Sequence, residues 1–454
     1  MKICIKFFWL HFLPFALLAV HMFLKPWAAD EPEHMHYAYL VGLGLRPYID
    51  FFQNHLPLFW YLLSPIALFS TFTAKILFTK VLQISILALV MMTLARLLPQ
   101  CRGLSSWWLS IGLLFMAPFV DYLDLRPEFI AIPFVAMVTA VLLTRREPGM
   151  RLSVLLGLLC GIFLFFTPRV YPFILYIGLF MLLSSIPMRV KLAFVSAGLL
   201  STALFLAAFD PKDVLFFSFT INAGVEEMPF HKLYYNKIAL RMFLGLTMLC
   251  AIHQLLNFRR RGWLPLSLIL ILGVLWWTEK APYMAQSTLF IFITNLIYAL
   301  IVFVEIDVKK PFKILALGSL MFCIAIATYK RNIYRKYSLF EKADFYTERL
   351  RACDGYTYQA RSIVGLLHPY NEAYIHPIFI RDYSYFGYFN STYHDDSRMR
   401  KILKHNEGRH IQYIGRIPPC YMDESVSRSL HYWFASEFAD SIRQQKPSQS
   451  VSGH

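Results

Sequence analysis

Residues 7–24 read FFWLHFLPFALLAVHMFL, and after a four-residue bridge residues 29–39 read ADEPEHMHYAY. The first stretch contains no Asp, Glu, Lys or Arg and is long enough to enter a bilayer as a helix, for which about 17–25 residues suffice. The second places Asp30, Glu31, Glu33, His34 and His36 directly beyond it. Lys2 and Lys6 precede the apolar run as they would in a signal peptide. No small-x-small cleavage pattern stands before Asp30, and more apolar runs follow, so an uncleaved signal-anchor is expected.

The apolar pattern repeats along the chain. Runs fall near residues 7–25, 57–73, 75–96, 105–120, 129–143, 152–167, 171–187, 191–209, 238–257, 263–278, 284–304 and 312–329. Hydrophobic residues make up 57% of the chain and charged residues 16%, against about 25% charged in soluble domains. The net charge of +16 fits cytoplasmic loops and lipid phosphates. No zinc-finger spacing, basic helix or aromatic–basic RNA motif accompanies it, so a nucleic-acid partner is excluded. Seven cysteines show no CxxC or Cys/His ligand spacing. Five lie in or beside apolar runs as small hydrophobes. Cys353 and Cys420 stand in the hydrophilic C-terminal region, where an oxidising compartment would permit a disulfide.

Loop charge orders the runs. Arg96 and Arg102, Arg145 to Arg151, Arg189 and Lys191, Arg259 to Arg261, and Lys309 to Lys313 flank five connections. With Lys2 and Lys6 inside, all five fall on the cytoplasmic side only when one early run does not cross. The run 57–73 is that exception: it opens with Pro57, carries Pro65 in its middle and reads as a re-entrant or juxtamembrane helix. Lys75 and Lys80 then open the next helix from the outside, which is the point of tension in this topology.

The expected fold is therefore mostly α. It is a polytopic bundle of about eleven spans plus the re-entrant helix, with a small C-terminal α/β domain. The domain reading is 1–329 for the membrane part, 330–445 for an extracytoplasmic α/β domain and 446–454 for a disordered tail. The outer face then receives Asp30 to His55, Asp121 to Glu128, Thr167 to Arg169, Asp210 to Lys237, Glu279 to Tyr283 and the C-terminal region. Nearly all the chemically interesting residues share that face.

Asp30 followed by Glu33 matches a variant capping box, and Pro32 suits a first helical turn. Asp30 as the cap of a short surface helix is thus one reading. Residues 46–62, RPYIDFFQNHLPLFWYL, and residues 123–128, LDLRPE, carry the other. The acidic pair after the first helix, the "PYxDFFxxHxPL" stretch and the later Arg-Pro-acid motif together resemble GT-C glycosyltransferases. These are the membrane enzymes related to protein O-mannosyltransferases and aminoarabinose transferase. The resemblance covers the N-terminal half and fades beyond about residue 210.

The resemblance implies transfer of a sugar, with inversion, from a polyprenyl-phosphate donor to a glycan, lipid or protein acceptor outside the membrane. That implies a bacterial inner membrane with a periplasmic site. An acceptor hydroxyl needs a carboxylate base within hydrogen-bond reach; Asp30 matches the family's catalytic position and Glu31 is the reserve. The leaving phosphate needs positive charge, for which Arg126, Arg169 and Lys280 stand on the right side. Asp124, Glu128 and His55 are the candidates for orienting the arginine or the acceptor. A metal-independent site is expected, the alternative being a divalent Mg, Mn or Zn ion held by His34 with Glu33 or His55.

Two other classes compete. A lipid-linked polysaccharide ligase or polymerase would share donor and face. A transporter would place ionisable residues at mid-membrane, whereas here they gather at one mouth. The loop from Asp210 to Lys237 is either a solvated connection or a cover for the site.

Overall fold

The computed structural model describes residues 13–24, 30–51, 53, 55–70, 72–99, 113, 125–144, 147–220, 252, 288–305 and 397. Among them ten α-helices stand in chain order: α1 (Leu13–Leu24), α2 (Asp30–Gly42), α3 (Leu58–Leu63), α4 (Phe72–Leu97), α5 (Pro127–Thr144), α6 (Met150–Phe163), α7 (Tyr171–Leu183), α8 (Met188–Ala208), α9 (Pro211–Leu215) and α10 (Thr288–Glu305). The described residues form no β-strand, only one bridge between Pro47 and Phe51. Three helices are long and apolar enough to cross a membrane: Ala74–Leu97 within α4, α5, and α8. The expected runs 105–120, 238–257, 263–278 and 312–329 lie outside the described residues, apart from Leu113 and Ile252. The C-terminal α/β domain likewise lies outside, apart from Ser397.

The run 57–73 folds as two short pieces. α3 is followed by a 3₁₀ turn over Ser64–Leu68. Pro65 supplies no N–H for the Tyr61 carbonyl, so a regular α-helical bond is missing there. The Ser64 hydroxyl donates to that carbonyl at 2.8 Å instead. At about 1.5 Å per residue, Leu58–Leu68 rises some 17 Å, roughly half of a hydrocarbon core. The piece packs against α2. A Cβ on Gly42 would collide with Ala67 and with the Ser64 carbonyl, so glycine permits that close approach.

α2 is not a surface helix. Glu31, His34, Met35 and every residue from Tyr37 to Val41 are buried. It packs against α3, the 3₁₀ turn and the N-terminal part of α4, whose Lys75 and Lys80 turn toward it. α5 packs between α4 and α10 and is buried along most of its length. Its polar contact with α10 is Thr139 Oγ1 to Thr294 Oγ1 at 3.3 Å.

α6 and α8 form a second close pair, and small residues explain it. A Cβ on Gly157 would collide with the Phe194 carbonyl, and one on Gly161 with Ser201. Backbones approach this closely where glycine and serine line the seam, as is common between membrane helices. The outer side of α8 leaves Leu192, Leu199, Leu200 and Leu204 exposed, as a lipid-facing helix would.

Candidate functional site

The site is built around α2. Its backbone begins at Asp30; the side chains of Asp30 and Glu33 lie outside the described residues, as do Asp124 and Lys280. Glu31 is one residue further on and only 2% exposed. A carboxylate in that environment must be paired or hydrogen-bonded, because an isolated buried charge is prohibitive. Both conditions are met. The Leu125 amide donates to Glu31 Oε1 at 2.8 Å, and Lys80 Nζ stands 3.6 Å from the same oxygen. Lys80, on the third turn of α4, is itself 2% exposed.

The two lysines that stand in tension with the expected topology both find partners in α2. Lys80 is the internal partner of Glu31, and Lys75 Nζ sits 3.9 Å from the centroid of the Tyr39 ring. Both ammonium groups face α2.

Glu31 also joins two distant segments, since Leu125 is 94 residues away. Leu125 leads into Arg126 and the start of α5. The Arg126 carbonyl accepts the Phe129 amide at 3.0 Å, and Pro127 occupies a first-turn position where its missing N–H costs nothing. Glu128 follows in the first turn, where the helix dipole favours an anion. Its carboxylate pairs with the Arg169 guanidinium and accepts the Thr167 hydroxyl at 3.0 Å. Thr167 in turn accepts the Arg169 amide at 3.4 Å, closing the Pro168–Val170 turn on itself. Arg126 lies within electrostatic reach of Glu128 as well. The structure thus links Glu31 through the Leu125 backbone to the start of α5, where Arg126 and Arg169 lie within electrostatic reach of Glu128.

The RPYIDFFQNH stretch forms the next wall. The Asp50 carboxylate accepts the Arg46 amide at 2.7 Å and its Nε at 3.3 Å. Tyr48 and Phe51 share a backbone bond at 3.0 Å. The turn holds Tyr48 at φ 69°, a left-handed conformation that an aromatic residue rarely adopts. Three contacts hold it there. The Tyr48 ring stacks on Phe217 at 5.1 Å, and its hydroxyl reaches the His55 carbonyl at 2.5 Å and Ser218 Oγ at 2.9 Å. Burial pushes the phenol well above its ordinary pKa, so the proton stays on the oxygen.

His55 is brought to α2 by the same loop. Its ring centroid is 5.6 Å from that of His34 and 6.4 Å from that of Trp60, which it stacks upon. His34 also meets Phe59 edge-on at 5.1 Å. Among the described residues no three His, Cys, Asp or Glu side chains group as a metal site.

Four residues central to this geometry were not among the site residues expected from sequence: Lys75 and Lys80, which entered only through loop charge, Tyr48, which lay within a quoted motif, and Ser218. Lysines within an apolar run carried a signal, because an ionisable residue inside a span is a functional-site indication in its own right. Ser218 carried none.

No protein-family model, no curated protein and no solved structure matches the chain.

Proposed function

We propose that this chain is an integral membrane glycosyltransferase of the GT-C type. In this reading it takes a sugar from a polyprenyl-phosphate donor and passes it, with inversion, to an extracytoplasmic glycan, lipid or protein. One observation carries the reading: the acidic helix after the first apolar run is tied by Glu31 to the Arg-Pro-Glu segment. That bond ties a carboxylate-bearing helix to the segment that carries Arg126 and pairs with Arg169, the combination of charges that such a transfer needs.

The chemistry follows from that pattern. The acceptor hydroxyl gives its proton to the Asp30 carboxylate while its oxygen attacks the anomeric carbon. The bond from that carbon to the phosphate oxygen breaks, and polyprenyl phosphate leaves with the electron pair. Arg126, Arg169 and Lys280 stabilise the charge that develops on the phosphate. Glu128 holds Arg169 in orientation, and His55 lines the acceptor side. Eleven spans, a cytoplasmic N-terminus, a periplasmic C-terminal α/β domain and a bacterial inner membrane complete the proposal.

The test uses purified full-length protein with radiolabelled polyprenyl-phosphate sugar and a mixed periplasmic acceptor fraction. Transfer to a labelled product is expected, and Asp30→Asn abolishes it at undiminished protein level. Near-normal transfer by that variant removes Asp30 as base. A second reading, a transporter, draws on the buried Lys80–Glu31 pair, because such pairs line ion and substrate paths. Redistribution of label across vesicles with no new product would favour it.

A further inference from the structure

Glu31 is a carboxylate at the proposed site, yet its surroundings suit it poorly to proton transfer. Oε1 accepts the Leu125 amide at 2.8 Å and faces the Lys80 ammonium at 3.6 Å. That oxygen is therefore committed to two internal partners. Both partners are buried, so water does not screen them. What the carboxylate does there is mechanical. It holds the backbone of the residue that precedes Arg126, on the near side of the turn that starts α5.

We infer that Glu31 and Lys80 are positioning residues: the ion pair between α2 and α4 fixes the Leu125–Arg126 backbone through a single acceptor oxygen, and thereby aims the Arg126 guanidinium. The activity arm of this inference rests on the glycosyl-transfer reading, while the geometric arm does not. The linkage runs without a gap. Lys80 holds Glu31, Glu31 holds Leu125, the Arg126 carbonyl caps α5 at Phe129, and Glu128 on the same turn holds Arg169 and Thr167. Both arginines are therefore set from the α2–α4 pair. The acceptor oxygen is the essential feature and the negative charge is not. Charge matters only because Lys80 is buried opposite it, and removing one member of a buried pair leaves the other uncompensated.

This predicts an unusual ordering of variants. Glu31→Gln keeps an oxygen for the Leu125 amide, whereas Glu31→Ala does not. Lys80→Met strands the carboxylate, and Lys80→Met combined with Glu31→Gln removes both charges while keeping the hydrogen bond. Full-length protein in detergent is compared by hydrogen–deuterium exchange over peptides covering residues 123–130, and by transfer of labelled sugar. Glu31→Ala speeds exchange in that segment by about tenfold or more, as loss of a protecting hydrogen bond allows. Glu31→Gln leaves it within about threefold of wild type. In the transfer assay Glu31→Gln retains at least about a tenth of the rate and Glu31→Ala falls below about a hundredth, a difference that a base would not show. The double variant outperforms Lys80→Met alone, the non-additivity expected of a coupled pair.

Unchanged exchange in Glu31→Ala overturns the inference, as does Glu31→Gln behaving like Glu31→Ala in both assays. Should Glu31→Ala fail to fold, Glu31→Gln against Lys80→Met and the double variant gives the same decision. If wild-type protein transfers no sugar, the glycosyltransferase reading fails, and the exchange data still decide the positioning role.

Discussion

The Tyr48 hydroxyl meets the Ser218 hydroxyl at 2.9 Å across 170 residues of chain. Tyr48 has one proton, and it goes to the His55 carbonyl. Ser218 is therefore the donor in the longer bond and Tyr48 the acceptor. Through this pair the RPYIDFFQNH loop is latched to the π-helical turn Phe216–Thr220, which α9 places after the Asp210 cap.

Tyr48→Phe removes both hydroxyl bonds and leaves a carbonyl and a hydroxyl buried without it. It is expected to destabilise the protein by about 1–3 kcal/mol, and Ser218→Ala by about 0.5–1.5 kcal/mol, because the bond to His55 survives the second change. Thermal unfolding in detergent checks the order. Equal midpoints for Tyr48→Phe and wild type would remove the latch.

The Glu128–Arg169 pair is expected to be coupled. Glu128 is buried and Arg169 half-buried, so removing one partner costs up to about 3–5 kcal/mol, the range of a fully buried pair. Glu128→Ala is expected near that range. Arg169→Met combined with Glu128→Ala recovers part of the loss. A double-mutant cycle on the unfolding midpoints measures the coupling, and strictly additive effects would show that the two residues act alone.

Two glycines of neighbouring helices should respond in opposite directions. Gly157 in α6 abuts the Phe194 carbonyl, whereas a Cβ on Gly178 in α7 meets nothing within 4 Å. Gly157→Ala must separate α6 from α8 and is expected to cost about 1–3 kcal/mol. Gly178→Ala is expected to be neutral or stabilising by up to about 1 kcal/mol, as a mid-helix glycine is replaced without a clash. Side-by-side unfolding midpoints decide; a stabilising Gly157→Ala contradicts the packing.

Lys75 over the Tyr39 ring gives a third kind of contrast. Tyr39→Phe keeps an aromatic face for the ammonium, and Tyr39→Leu does not. The leucine variant is expected to lie below the phenylalanine variant by about 0.5–2 kcal/mol, the range of a partly desolvated cation–π contact. Equal stability would assign Lys75 another partner.

The helical layout was largely legible from residue order. The runs 75–96, 129–143, 152–167, 171–187, 191–209 and 284–304 correspond to α4, α5, α6, α7, α8 and α10, with ends shifted by a few residues. The run 57–73, expected as a re-entrant or juxtamembrane helix rather than a full span, folds as a short α-helix and a 3₁₀ turn. These features are local: apolar run length and missing N–H groups act within a turn or two of chain. The candidate site was legible only as a set of segments. Asp30 opening a capped surface helix did not anticipate a helix enclosed on nearly all sides.

Sequence by itself determined that the described chain is helical and that several of its helices are apolar enough for a membrane, because hydropathy and proline act where they stand. It also determined that carboxylates and imidazoles follow the first apolar run. Only the tertiary structure decided that Lys75 and Lys80 turn inward to α2, that Glu31 reaches Leu125, and that Tyr48 closes on Ser218. Each of those contacts joins residues far apart in the chain or on different helices. Their formation depends on how helices pack and on the cost of leaving a buried charge or hydroxyl unpaired, neither of which is written in any single segment.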